Sequence, residues 1–159
     1  MTIKKAFETI IDLPKKRRYE STLPFDDSFP EKGDWKNDDE FYQQWDECFK
    51  NNAKFAVDQP APMIGDNNTP MPEVRKFYKY WDQFKTWREF SQHHKHNPSE
   101  ANDRAEKRWM ESENKKTNKH YDKIERKRLI ELIEHCYDHD PRIQSELKAE
   151  QDAKDKIKA

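Results

Sequence analysis

Lysine and arginine side chains are concentrated in one stretch of the sequence, between Arg104 and Arg128. This stretch holds ten basic and five acidic residues, a local charge of +5 in a chain whose net charge is −1. Basic side chains on a solvated helix suit contacts with phosphate groups, and the release of counterions drives such binding. The candidate contact surface consists of Lys107, Arg108, Lys115, Lys116, Lys119, Lys123, Arg126, Lys127 and Arg128.

A solvated helix face is the other interpretation of the same charges. Pairs four residues apart, such as Glu111 with Lys115 and Asp122 with Arg126, support charged helices without binding anything. Judged on composition alone, this second interpretation is favoured. The acidic segment from Glu20 to Lys50, with ten acidic and three basic residues, could face a basic partner or the chain's own basic helix.

Other kinds of chemistry have little support in the sequence. His93, His94 and His96 are interpreted as a polar loop, because no further ligands have the spacing of a closed zinc site. Gly33 and Gly65 are the only glycines, whereas phosphate-cradling loops need several. No nucleophile, base and orienting group are grouped together. We therefore expect no metal, no cofactor and no enzymatic activity.

Helices are expected to position the candidate surface. Apolar spacing predicts helices over residues 3–13, 38–55 and 72–90, with Asp38 or Asp39 capping the second. A long helix is predicted from a cap at Ser99 or Asn102 to Tyr137, and a charged helical stretch over 144–159. Whether the long helix continues through its ten non-apolar residues, 111–120, or folds back there stays open. Proline-rich residues 21–37 and 58–72 are predicted loops.

An aromatic cluster supplies the predicted core. Val74, Phe77, Trp81 and Phe84 follow the spacing of one helical face, and large aromatic side chains can build much of a small core. A core role is favoured over a base-stacking role. The predicted fold is an all-α, small aromatic-cored helical bundle with a long charged helix. The core aromatic residues are Phe77, Trp81, Phe84, Trp87 and Phe90.

Two groups of residues resemble known patterns. Ala6-Phe7 and the string from Asp12 to Glu20 are similar to the closing helices of a J-domain. The run from Phe77 to Phe90, which reads FYKYWDQFKTWREF, resembles the zuotin homology region. That resemblance extends to Lys107-Arg108-Trp109 with Asn114, and to Asp140-Pro141-Arg142-Ile143, in the same order and spacing. The segment 25–30, FDDSFP, resembles the family's link after the J-domain.

The chain therefore resembles the zuotin-type, ribosome-associated J-proteins. The resemblance implies four parts: the C-terminal helices of a J-domain in 1–20, a linker in 21–37, the zuotin homology domain in 38–143 and a charged helical extension in 144–159. It implies docking on the large ribosomal subunit, on rRNA and exit-site proteins, and makes phosphate contact by the basic helix the favoured interpretation. DnaK-type chaperones would be recruited through regions mostly outside this chain. The His-Pro-Asp motif that J-domains use to trigger the ATPase of these chaperones is absent here, so the chain is expected to begin inside the J-domain.

The remaining expectations concern compartment and competing functions. Cys48 and Cys136 lie in predicted apolar helices, and neither a signal peptide nor an apolar run of membrane-spanning length is present. We expect a soluble protein of the cytoplasm, with the nucleus as a second location, and no membrane partner. Two other functions stay open: a DNA- or chromatin-binding module, and a purely structural helical spacer.

Overall fold

The computed structural model describes residues 3–6 and 12–158 of the chain. Five α-helices lie within residues 12–158: α1 (Leu13–Thr22), α2 (Asp38–Ala53), α3 (Met71–Asp82), α4 (Arg104–His139) and α5 (Pro141–Lys158). Two 3-10 turns, Ser91–His93 and Pro98–Glu100, separate α3 from α4. The described residues contain no β-strand, only an isolated antiparallel bridge between Ala56 and Thr86. The all-α prediction is confirmed.

The structure describes only part of the helix predicted over residues 3–13. Residues 3–6 are helical, whereas Phe7, Ile10 and Ile11 of the predicted helix lie outside the described residues. Helix α1 begins after Asp12, whose Oδ1 accepts a hydrogen bond of 3.2 Å from the backbone N–H of Lys15. Pro14 fits this first turn, where a missing N–H costs nothing.

The chain forms two compact units. The first comprises the described residues up to Phe25 together with Trp87–Arg128, and the second comprises Asp26–Thr86 with the residues from Leu129 onward. The four domain boundaries predicted from the sequence are not tested by this division and stay a prediction.

The second unit contains the main apolar core. Helix α2 begins at the cap Asn37, whose side chain accepts a hydrogen bond from the N–H of Glu40, so the prediction of Asp38 or Asp39 as cap was wrong by one position or two. Phe49 packs edge-on against Phe77 with ring centroids 4.8 Å apart, and lies 4.8 Å from Trp81. The buried cluster consists of Phe41, Tyr42, Trp45, Cys48, Phe49, Ile64, Val74, Phe77, Tyr78, Trp81, Leu132, Ile133, Cys136 and Ile143.

Helix α3 is shorter than its predicted span of 72–90. It ends at Asp82, and the backbone then runs extended so that the Val57 N–H donates to the Lys85 carbonyl over 2.9 Å. This pairing between distant segments competes with helical hydrogen bonds, and sequence periodicity carries no information about it. Phe84 lies at the edge of the cluster, partly buried against Trp81 at 4.6 Å. Trp87 and Phe90 fall in the first unit, where Phe90 is buried and Trp87 half-buried.

Helix α4 contains the whole polar stretch 111–120 without a break. The alternative of two helices folding back on each other there was therefore wrong. This stretch contains neither Gly nor Pro, the residues that most disfavour a helix interior, and half of it is Glu and Lys, which have high helix propensity. The helix ends at His139, immediately before the predicted stop at Asp140-Pro141.

A buried ion pair joins the start of α5 to the second unit's core. Arg142 Nη2 donates to Asp140 Oδ2 over 2.8 Å, and its Nη1 donates to the Ile64 carbonyl over 2.7 Å. Tyr78 Oη also donates to Asp140 Oδ2, over 2.6 Å. The side chains of Asp140 and Arg142 are 0% and 4% exposed. This pair therefore connects the DPRI segment to α3 and to the loop that follows α2.

Two features are not found among the described residues. Among them, no helix combines the length and the apolar character that crossing a bilayer requires. In the same part of the chain, no three His, Cys, Asp or Glu side chains come together in a group that could hold a metal ion.

Candidate nucleic-acid interface

The first turn of α4 is fixed by two hydrogen bonds between side chains and backbone. Asp103 Oδ1 accepts a 2.7 Å hydrogen bond from the N–H of Glu106, and Glu106 Oε2 accepts a 3.0 Å bond from the N–H of Asn102. These bonds satisfy backbone donors that a helix start leaves unpaired. The predicted caps at Ser99 or Asn102 were therefore wrong, and the helix that carries the basic residues begins after Asp103.

One side of α4 packs against the histidine-rich segment 93–96 inside the first unit. Asn114 Nδ2 donates to the His96 carbonyl over 2.9 Å, and His94 Nε2 lies 2.6 Å from Asn118 Oδ1. The His93 ring stacks on Tyr121, with centroids 3.9 Å apart and planes at 11°. The histidines thus hold the segment against the helix, which agrees with their interpretation as a polar loop.

A buried charge cluster lies further along the same side of α4. Glu125 accepts hydrogen bonds from Arg88 Nη1 over 3.1 Å and from Arg128 Nη2 over 2.5 Å. All three side chains are about one-tenth exposed, and both guanidinium groups lie over the ring of Phe25. Burial acts to raise the pKa of Glu125, but the bonds and charges of Arg128 and Arg88 outweigh it and hold that pKa below its usual range.

The opposite side of α4 carries the exposed cations. At 3.6 residues per turn, Asn114, Tyr121 and Glu125 point to the packed side, and the residues half a turn away point outward. Five cationic side chains fall within an arc of about 80° on this outer side. We call them the basic stripe: Arg108, Lys115, Lys119, Lys123 and Arg126, all exposed.

The other four predicted contact residues have different surroundings. Lys116 is exposed but pairs with Glu113 at 3.0 Å, and Lys127 is exposed beside the stripe. Lys107 is exposed in the first turn, on a different side of the helix. Arg128 faces inward, where it is largely buried and donates to Glu125, so it is not part of the outer surface. The structure thus brings five of the nine predicted residues onto one stripe.

Sequence reasoning did not single out the Glu125 cluster. Arg88 lies 37 residues away in the sequence, and no local pattern indicates that pairing. Asn114 appeared among the residues that resemble the family, but its hydrogen bond to the His96 backbone depends on the fold. One feature of the sequence could have indicated this packed, hydrogen-bonded role: Asn114 is a polar residue on the same side of the helix as Tyr121.

Comparisons of the chain with a protein-family model and with individual proteins give the same result. The family model described as zuotin-like, zuotin homology domain, matches residues 40–144. The chain is 35% identical over 142 residues, 89% of its length, to DnaJ homolog subfamily C member 2 from Homo sapiens and from Bos taurus. It is 34% identical over the same length to zuotin from Saccharomyces cerevisiae. The matched region spans 22% of the two mammalian proteins and 32% of the yeast protein.

Proposed function

Because the chain belongs to the zuotin-like family of J-proteins, we propose that it docks a nascent-chain co-chaperone on the large ribosomal subunit. The basic stripe of α4 contacts the rRNA backbone near the exit site. The observation that supports this proposal is the separation of the two sides of α4: one is packed inside the first unit, and the other presents five exposed cations.

The spacing of the stripe suits a nucleic-acid backbone. From Arg108 to Arg126 the helix rises by about 27 Å, at 1.5 Å per residue. Lysine and arginine along that length can neutralise several phosphates, and each one displaces counterions into solution. Double-stranded rRNA is recognised mainly by its shape and backbone, so this contact requires no base-specific hydrogen bonds.

The proposal includes partners and location. DnaK-type chaperones would act together with the docked protein through segments mostly outside residues 1–159, and exit-site proteins would adjoin the rRNA contact. The function would be carried out in the cytoplasm, with the nucleus as a second location. The chain itself would contribute binding and no catalysis.

Co-sedimentation with purified ribosomal subunits across a salt series tests the docking. The test variant carries Lys115→Ala, Lys119→Ala, Lys123→Ala and Arg126→Ala, all in the basic stripe. The matched control carries Lys148→Ala, Lys154→Ala, Lys156→Ala and Lys158→Ala on α5, which are also exposed. Both variants lose four positive charges, so a difference between them reports where the charge lies and not how much there is.

We expect wild type and the α5 control to bind large subunits, with affinity that falls steeply as salt rises. The stripe variant should bind weakly. Its plot of log K against log salt should have a slope that is less steep by about three. Equal losses of affinity in both quadruple variants would refute the proposed role of the basic stripe in docking. Preference for duplex DNA over subunits would favour a chromatin-binding module. No binding at low salt would favour a structural spacer.

A further inference from the structure

Trp109 is a large aromatic side chain that the first unit leaves in solvent. It lies in the second turn of α4, and 54% of it is exposed. Within the described residues, its ring contacts that of His96, at 4.7 Å between centroids and an angle of 61°. His96 is itself held in place, because its carbonyl accepts the Asn114 side-chain hydrogen bond. The indole is therefore supported by a fixed neighbour and remains accessible.

One turn away on the helix, Trp109 has two acidic neighbours, Glu106 and Glu113. Beyond them, Lys116, His120, Lys123 and Lys127 follow Trp109 by 7, 11, 14 and 18 residues, which places all of them on the same side of α4 within an arc of about 60°. Each of the four is exposed. This row shares Lys123 with the basic stripe and runs beside the rest of it, and Arg108, the first residue of the stripe, precedes the tryptophan directly. An accessible indole therefore lies at the N-terminal end of the basic surface.

This combination matches the way proteins bind unpaired nucleotides. Cations hold the phosphate backbone, and an aromatic ring supplies a stacking surface that any base can use. An exposed tryptophan can also anchor a protein partner, but the cores of protein interfaces are depleted in lysine, and the side of α4 that continues from this indole is rich in lysine. The charges along this side of α4 thus favour RNA over protein as the occupant.

We infer that Trp109 stacks on an unpaired base of the rRNA to which the basic stripe binds. The inference rests on the proposed docking function and adds a second, non-electrostatic contact to it. Duplex regions would be held by the stripe alone. A bulged or looped nucleotide at the edge of the duplex would be held by Trp109, so that docking selects a junction between paired and unpaired rRNA.

The two contacts respond differently to salt, which allows them to be separated. Removing a phosphate contact changes the slope of log K against log salt, whereas removing a stacking contact lowers log K equally at all salt concentrations. We expect Trp109→Ala to weaken large-subunit binding roughly 5- to 100-fold with an unchanged slope. Trp109→Phe, which retains a ring, should recover most of the affinity. Ile124→Ala is the matched control, because Ile124 is 50% exposed on the same helix and unit.

A second arm uses defined RNA with the full chain. A short RNA duplex with one bulged purine is compared with the same duplex fully paired. Trp109→Ala should lower affinity for the bulged RNA and leave affinity for the paired RNA unchanged. Circular dichroism of each variant checks that α4 remains helical, and the Ala substitution is favourable for a helix.

The outcomes distinguish this inference from the docking proposal. If wild type fails to bind subunits at low salt, the docking proposal fails first. If wild type and Trp109→Ala bind equally, only the stacking inference is overturned. It is also overturned if the loss appears with intact subunits but not with protein-free rRNA or the bulged duplex, because Trp109 would then contact a ribosomal protein.

Discussion

The carboxylate of Glu125 illustrates, at the scale of single residues, how the packed side of α4 is held. It lies between the guanidinium groups of Arg88 and Arg128, with little solvent access for any of the three. Removing one member of such a buried group leaves the others without compensation, which costs more than the ion pair contributes in isolation. The cluster therefore ties residues near Trp87 to the helix within the first unit.

We expect Glu125→Gln to lower the free energy of unfolding at pH 7 by about 3 kcal/mol. The folded-state pKa of Glu125 is depressed, so its contribution is fully present above the unfolded value, about 4.5, and is lost as the pH falls through the folded pKa. The difference between wild type and variant should thus shrink below pH 4.5. Urea unfolding at pH 7 and at decreasing pH measures this.

Glu113→Gln is the control for that experiment. Its partner Lys116 is 71% exposed, and exposed pairs contribute at most about 1 kcal/mol. A difference between Glu125→Gln and wild type that stays constant from pH 7 to pH 3 would contradict the assignment of the stabilisation to the ionised carboxylate.

At the scale of elements, the beginning of α4 matters for the interface. The backbone hydrogen bonds that the Asp103 and Glu106 side chains accept define the first turn, and Arg108 and Trp109 follow directly behind it. If this turn frays, both side chains lose their helical positions. The cap is therefore a structural determinant of the stripe's N-terminal end.

Asp103→Ala should lower the free energy of unfolding by about 1 kcal/mol, the usual cost of losing a side-chain cap. Hydrogen exchange should show faster exchange of the amides of residues 105–109, with residues 120–128 unaffected. Asp152→Ala, an exposed position inside α5, serves as the control. Equal exchange rates in wild type and Asp103→Ala would show that other contacts hold the first turn.

The elements also show what the sequence could predict. Periodicity predicted the existence and type of α2, α3 and α4, because each carries apolar residues at helical spacing. The end of α3 was missed, since Lys85 pairs with Val57 and the aromatic spacing continues past Asp82 regardless. The candidate cations were found by composition, but the inward position of Arg128 depends on a glutamate bonded to Arg88, far away in the sequence.

At the scale of the whole molecule, the small number of apolar residues limits how much of the chain can form a core. Only 32% of the residues are hydrophobic, and the second unit gathers most of the buried ones into one aromatic cluster. Net stability of a domain is about 5–15 kcal/mol, the small difference of large opposing contributions. Few side chains therefore carry much of the apolar burial, and each substitution among them should be costly.

We expect Phe49→Ala to lower the free energy of unfolding by about 3–5 kcal/mol, because its ring is fully buried between Phe77 and Trp81. Ile157→Ala removes an aliphatic side chain that is 85% exposed, and should change stability by less than about 0.5 kcal/mol. Thermal and urea unfolding measure both. A cost below 1 kcal/mol for Phe49→Ala would show that the cluster relaxes around the cavity.

The unbroken course of α4 through residues 111–120 has a consequence for how this sequence can diverge. Substitutions of exposed residues there should be well tolerated, because they alter no packing. Deleting or inserting a single residue between Asn114 and Glu125 is different, since it turns the helix positions on one side of the change by about 100° relative to those on the other. Asn114 and Glu125 could then no longer both face inward. Selection should therefore conserve the length of this polar stretch far more strictly than its composition.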